Sequence, residues 1–318
     1  MVTATSLVGM VDPDLGWIDE QVEGERFYDV ELEWIFATDW MVLAHEHELP
    51  GPGDYVTASI GEDPVVVIRQ DDGTINAFLN SCRHRGFRIC GGASGHINRF
   101  VCEHRAWTYE RSGELVEIAG RPAVPLVGEG WDLVAVTHID IAGGWVLASW
   151  ADDHHDDRQR RAVAAAISPL LPAGDVQRSV VHANWKLVAI ALESRLGAVM
   201  PSPGFAGPYV AADGNEIYML QPRGVDETEV CTWAIGDSTV AARVPFAADA
   251  NLGLLRLEEG SSVSVRRRTE PVMAAPTSLC GDEPADRPRV RRSLADPVAR
   301  NLYTRWAERI TLSNGRIP

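Results

Sequence analysis

The sequence predicts an α+β fold in two domains, and three observations lead there. A helical pattern of apolar residues precedes residue 40. Short β-branched runs divided by turn residues fill the chain from residue 41 to about 151. Beyond that point helix and strand patterns mix. At 318 residues, 45% of them apolar and 23% charged, the chain has enough material for two cores.

Taken in order, GERFYDVELEWIFATDW (24–40) sets Phe27, Val30, Ile35 and Phe36 among acidic residues, the spacing of an amphipathic helix. This N-terminal segment, 1–40, is expected to pack on the C-terminal domain. Then come DYVTASI, PVVVIRQ, the turn DDGT, INAFLN, RFVCEH, ELVEI and GGWVLASW, the signature of a small all-β domain over 41–151. A charge run, ADDHHDD, enters an Ala- and Leu-rich segment read as a joining loop and a helix, which opens the third region, 152–318. There NWKLVAIALESRL reads as a helix, and EIYMLQP, EVCTWAI and STVAARVPF read as strands. Asp296 and Pro297 mark an N-cap and a first helical position, and Leu302, Trp306 and Ile310 recur every four residues after them.

The net charge of −16 argues against nucleic acid or an anionic membrane surface as a partner, since either would be repelled. No stretch approaches the roughly 20 apolar residues of a membrane span, and the N-terminus lacks the marks of a leader, so a cytoplasmic protein is expected. The five cysteines are too few and too scattered for a disulfide framework. Cys82, Cys90 and Cys102 nevertheless crowd into one stretch of the β region. The ten tryptophans are read as core filling.

Cys82-Arg-His84-Arg-Gly86 lies upstream of Cys102-Glu-His104-Arg105-Ala106-Trp107, with 17 residues between His84 and Cys102. Two cysteines and two histidines on facing hairpin tips suit a Rieske [2Fe–2S] centre, in which thiolates hold one iron and imidazoles the other. With its surroundings, GPGDYVTASIGEDPVVVIRQDDGTINAFLNSCRHRG, the motif resembles the Rieske domain of ring-hydroxylating oxygenase α subunits. The resemblance is strong over 17–125 and moderate over 150–205. It implies a Rieske β-sandwich beside a helix-grip (START/Bet v 1-like) C-terminal domain with an antiparallel sheet.

In that family the second half of the motif reads Cys-x-x-His-Gly-Trp. Trp107-Thr-Tyr109 and Gly113-x-Leu115 fix the register, which puts Arg105 where the second histidine ligand belongs. A guanidinium stays protonated below about pH 12 and offers no lone pair to iron. His104 stands one residue early. Three outcomes stay open: loops without a complete cluster, which is preferred; a [2Fe–2S] cluster completed by His104 through a shifted loop; or another metal such as zinc on Cys82, His84, Cys102 and His104. Cys90 is read as a small buried hydrophobe.

Asn184-Trp-Lys-Leu-Val188 and Ser202-Pro-Gly-Phe205 resemble the family's entry to its mononuclear iron, where an acid, a histidine and a second histidine lie between or within those motifs. Non-haem Fe(II) oxygenases need two imidazoles and a carboxylate on one face of the metal. Here Ser194 takes the place of the acid, and Gly197 and Ser202 take the places of the histidines. No histidine follows His182, so a family-type triad is not expected, and no mononuclear iron with it. Glu258 or Glu259 is a candidate for the late carboxylate, with a surface pair as the simpler reading. Asp152 to Asp157, with His154 and His155 between them, is read as a solvated linker. Glu193 and Arg195 are candidates to line the old pocket.

The resemblance implies a homologue that fills positions in a trimeric or hexameric ring beside an active Rieske oxygenase α-type subunit, as a non-catalytic accessory. The active partner would hydroxylate or demethylate an organic substrate with O2 and electrons from a ferredoxin or flavin reductase. Two other readings stand beside it: an electron-transfer oxidoreductase with an altered Rieske cluster, and a metal-free protein that binds a small molecule in the old pocket.

Overall fold

The computed structural model describes residues 11–12, 17–19, 25–119, 121–122, 130–151, 157–174, 176–196, 210–212, 216–236 and 291–293, with Leu302 and Trp306. Short strands β1 (Val11–Asp12) and β2 (Trp17–Asp19) come first, followed by helix α1 (Glu25–Glu31). The helix widens into a π turn over Leu32–Phe36, where Ala37 N–H donates to Leu32 O at 2.9 Å. The expected amphipathic helix is therefore present but changes pitch midway. Its apolar residues Phe27, Val30, Ile35 and Phe36 are all buried.

The β region contains β3 (Met41–His45), β4 (Asp54–Ile60), β5 (Asp63–Arg69), β6 (Ile75–Leu79), β7 (Ser94–His96), β8 (Phe100–Val101), β9 (Trp107–Tyr109), β10 (Leu115–Ile118), β11 (Arg121–Pro122), β12 (His138–Ala142) and β13 (Trp145–Ser149). They pair in three antiparallel sheets, ordered β6-β5-β4-β7, β11-β10-β9-β8 and β12-β13-β3. Strand β5 explains how these layers join. Successive side chains on a strand point to opposite faces, and β5 is buried on both. Val65 and Val67 enter the main core, while Val66 and Ile68 enter a second, smaller cluster with Phe78, Phe100, Tyr109 and Leu115. A strand covered on both faces needs apolar residues at every position, which is why PVVVI does not alternate.

The main core continues through α2 (Asp157–Ile167), β14 (Gln177–Val181) and α3 (Trp185–Leu196) into β16 (Glu216–Gly224) and β17 (Glu227–Ala234), and the short strand β15 (Val210–Ala212) pairs with β16. Sheet β14-β17-β16-β15 is antiparallel throughout, and α3 packs on β16 and β17. Asn184 caps α3: its side-chain oxygen accepts from Lys186 N–H at 3.1 Å, and its amide donates to Val225 O at 2.9 Å. Strand β18 (Arg291–Ser293) pairs with β2. The predicted strand STVAARVPF lies outside the described residues, as does most of the final helix, of which Leu302 and Trp306 are buried. Among the described residues, no helix is long and apolar enough to cross a membrane.

Two features tie the N-terminal segment to the later chain. Gln159 of α2 is buried and meets the backbone of Trp40 twice, accepting from its N–H at 2.8 Å and donating to its carbonyl at 3.2 Å. Glu31, at the end of α1, is fully buried and accepts from Lys186 Nζ at 2.5 Å, Trp185 Nε1 at 2.7 Å and Trp306 Nε1 at 2.9 Å.

Candidate metal centre

The cysteine and histidine motifs fall on two tight turns, one after β6 and one between β8 and β9. The turns share one backbone pattern. In the first, Cys82 N–H donates to Phe87 O and Gly86 N–H to Cys82 O, each at 2.8 Å. In the second, Cys102 N–H donates to Trp107 O and Ala106 N–H to Cys102 O, again at 2.8 Å. Both turn back through a left-handed residue, Gly86 at φ +73° and Ala106 at φ +50°. This conformation is free for glycine and strained for alanine. The match sets Cys82 against Cys102, His84 against His104 and Arg85 against Arg105. Asn80 anchors the first turn from below: its Oδ1 accepts from Ile89 and Cys90 N–H at 3.1 and 2.8 Å, and its Nδ2 donates to Cys90 O at 2.8 Å.

Cys82 and Cys102 are both buried, close enough for the Cys102 thiol to act on Cys82 by charge. The Tyr109 hydroxyl lies 3.3 Å from Cys82 Sγ and accepts from Arg83 N–H at 3.2 Å. Burial pushes the Cys82 thiol above its usual range, although Tyr109 and the His84 N–H pull the other way. Tyr109 is itself held well above the ordinary phenol range, first by burial and then by Cys82. For His84, desolvation and then the Arg85 and Arg105 guanidiniums favour the neutral imidazole, the form that ligates metals.

Each histidine ring packs on an aromatic side chain of the opposite turn. His84 leans against Trp107, with ring centroids 5.3 Å apart and planes at 33°. His104 stacks on Phe87 at 4.1 Å and 20°, an arrangement that occupies a face of its imidazole with a phenyl ring. Arg105 is exposed at the tip. The two thiols and His84 have the chemistry of a Rieske donor set. Among the described residues no group of three or more His, Cys, Asp or Glu side chains is arranged to hold a metal ion. The residues present supply both thiols and one imidazole, His84, of the kind a [2Fe–2S] centre uses.

Residues 39–128 match the family model of the Rieske [2Fe-2S] domain. The chain carries a Rieske domain. It is also homologous to oxygenase α subunits: it is 33% identical over 204 residues to the benzene 1,2-dioxygenase subunit alpha of Pseudomonas putida, a match covering 58% of this chain and 44% of that one. Against the glycine betaine monooxygenase oxygenase subunit of Chromohalobacter salexigens it is 42% identical over 175 residues, covering 51% and 38%. The chain thus spans less than half the length of these curated relatives. Among solved structures, naphthalene 1,2-dioxygenase with indole bound superposes with a TM-score of 0.60 at 22% identity, covering 75% of each chain. A quaternary ammonium Rieske monooxygenase gives 0.56 at 18%, covering 76% of this chain and 80% of the other. At such identities these two likenesses show a shared fold.

Beyond the Rieske domain, Ser194 sits in α3, Glu193 and Arg195 flank it, and no side-chain placement is described for the three. Gly197, Ser202, Glu258, Glu259 and the stretch 152–156 lie outside the described residues. Cys90 lies in the smaller core cluster, where burial raises its thiol pKa to about 12.

Three features escaped the sequence. One is the equivalence of the two turns, for which the shared C-x-H-R spacing was the available signal. The second is the Tyr109 hydroxyl on Cys82. The third is the buried Glu31 cluster, which joins residues 275 positions apart in the chain and leaves no local pattern.

Proposed function

We propose that this chain is a non-catalytic accessory homologue of the Rieske oxygenase α subunit, one that assembles with an active α-type homologue in a trimeric or hexameric ring. The observation that carries the reading is Arg105 at the position that the sequence register gives to the second histidine ligand, since a guanidinium offers no lone pair to iron. The sequence register that places Ser194, Gly197 and Ser202 at the mononuclear iron positions supports it, because no imidazole is then available at that site. In this reading the C-terminal sheet with α3 across it is a helix-grip domain kept for its surfaces. The partner supplies O2-dependent hydroxylation or demethylation of an organic substrate, fed by a ferredoxin or flavin reductase.

A second reading rests on a different observation. The paired buried thiols and the neutral His84 are what a cluster would use, so rotation of His104 away from Phe87 would yield an altered Rieske centre that transfers electrons. Iron and acid-labile sulfide in anaerobically purified protein, with an EPR spectrum after dithionite reduction, separate the two. Stoichiometric iron and sulfide with a Rieske-type spectrum favour electron transfer and sink the accessory reading. Their absence, with co-purification of an active α-type homologue, is the outcome expected here.

A further inference from the structure

A polar cleft opens where the Rieske domain meets the C-terminal sheet. Its volume is about 50 Å³, and its walls include Thr57 and Asn80 from the Rieske side, Arg88 from the end of the first cysteine turn, Arg178 of β14, Arg223 of β16 and Glu229 of β17. Strand register explains why the last three meet. Arg178 faces Cys231 across β14 and β17, and Glu229 is the next residue of β17 on that same face; Gln221 opposes Glu229 on β16, with Arg223 two residues on. Three guanidiniums and one carboxylate therefore line one cleft. The lining keeps two positive charges uncompensated, in a chain whose net charge is −16.

The guanidiniums are only partly engaged. Arg178 donates to Thr57 O, which fixes it across the domain contact, and Arg223 Nη2 meets Glu229 Oε1 at 2.6 Å. The Nε of Arg223 is buried without a hydrogen-bond partner, and Arg88 is exposed with no carboxylate paired to it among the described residues. A buried N–H without an acceptor is costly, and arginine forks match the oxygen edges of phosphate and carboxylate. Waters need roughly 10–15 Å³ each by this measure, so the cleft has room for about four waters or for one compact anion. Guanidiniums approaching from a turn and from two strands suit an anion with more than two oxygens, which favours a tetrahedral ligand over a planar carboxylate.

We propose that this cleft is a binding site for a phosphate group, held by Arg88, Arg178 and Arg223, which bridges the Rieske domain and the C-terminal sheet. The charge comes either from free phosphate or from the end of a phosphate monoester. The test uses the intact chain in isothermal titration calorimetry with sodium phosphate, against sodium chloride at matched ionic strength, and then with glycerol phosphate. Saturable heat with phosphate alone assigns the site to the free ion, and heat with both extends it to monoesters. Arg88→Gln, at an exposed position where the fold does not depend on it, should weaken binding tenfold or more, because one charge-assisted contact is lost. Phosphate heats no different from chloride, or an Arg88→Gln protein that binds like the parent, would overturn the assignment.

Discussion

Glu31→Gln exchanges one oxygen for an amide nitrogen in the core and should remove much of the protein's margin of stability. The Glu31 carboxylate takes three donors, Lys186 Nζ at 2.5 Å and the indole N–H groups of Trp185 and Trp306 at 2.7 and 2.9 Å, and both members of the ion pair are essentially inaccessible to water. The introduced amide keeps a carbonyl for the indoles but leaves the Lys186 ammonium buried without a counter-charge. Removing one partner of a buried pair costs about 3–5 kcal/mol, set against a total stability of roughly 5–15 kcal/mol for typical domains. Lys186→Met strands the carboxylate instead and should cost a similar amount. The double variant Glu31→Gln/Lys186→Met buries no charge at all, and its main debt is an amide N–H2 without an acceptor, about 1–3 kcal/mol. The double variant should therefore be more stable than either single one. Urea denaturation followed by tryptophan fluorescence reads this directly, since Trp185 and Trp306 sit on the cluster. A double variant whose loss equals the sum of the single losses would refute the reasoning, because it would mean that the two groups do not interact.

Other consequences can be checked separately. Ala106 at φ +50° carries left-handed strain of about 1–2 kcal/mol, partly offset by the greater unfolded-state freedom of glycine, so Ala106→Gly should raise stability by roughly 0.5–1 kcal/mol in the same urea assay. Burial raises the thiols of Cys90 and Cys231 to about 12 from 9.0. Between those values the unfolded chain loses protons that the folded one keeps, so stability should be unaffected below pH 9 and should fall by about 1.4 kcal/mol per thiol per pH unit above it, until the folded pKa is reached. Replacing both with alanine should flatten that alkaline limb in a series of urea melts. Arg105→His puts an imidazole at the position that the sequence resemblance gives to the second histidine ligand, and under the proposed reading iron and acid-labile sulfide in the purified variant should rise above the parent's; an unchanged content would count against Arg105 as the cause of an incomplete centre.

Much of the β region was legible because local chemistry decides it. DDGT closes a hairpin between two apolar runs, and β4, β5 and β6 fall where those runs lie. The helix from Trp185 was legible for the same reason, with Asn184 ahead of it as cap. The first helix was legible in its buried face but not in its pitch, since a π turn depends on what packs around Leu32–Phe36. At the candidate centre the residue types alone raised the question of the missing imidazole. They could not show where His104 goes, because the stacking on Phe87 depends on two turns brought together by separate strands.

The sequence by itself determined which residues are apolar, where the chain turns, and that Arg105 follows His104 in the second cysteine turn. Those are properties of neighbours along the chain. Tertiary structure alone decided that Val65 and Val66 of one strand feed different cores, that Glu31 meets Lys186 and Trp306, and that Arg88, Arg178 and Arg223 line one cleft. Each of those depends on pairing between segments far apart in sequence, where burial, not local preference, sets which partner a charged side chain must find.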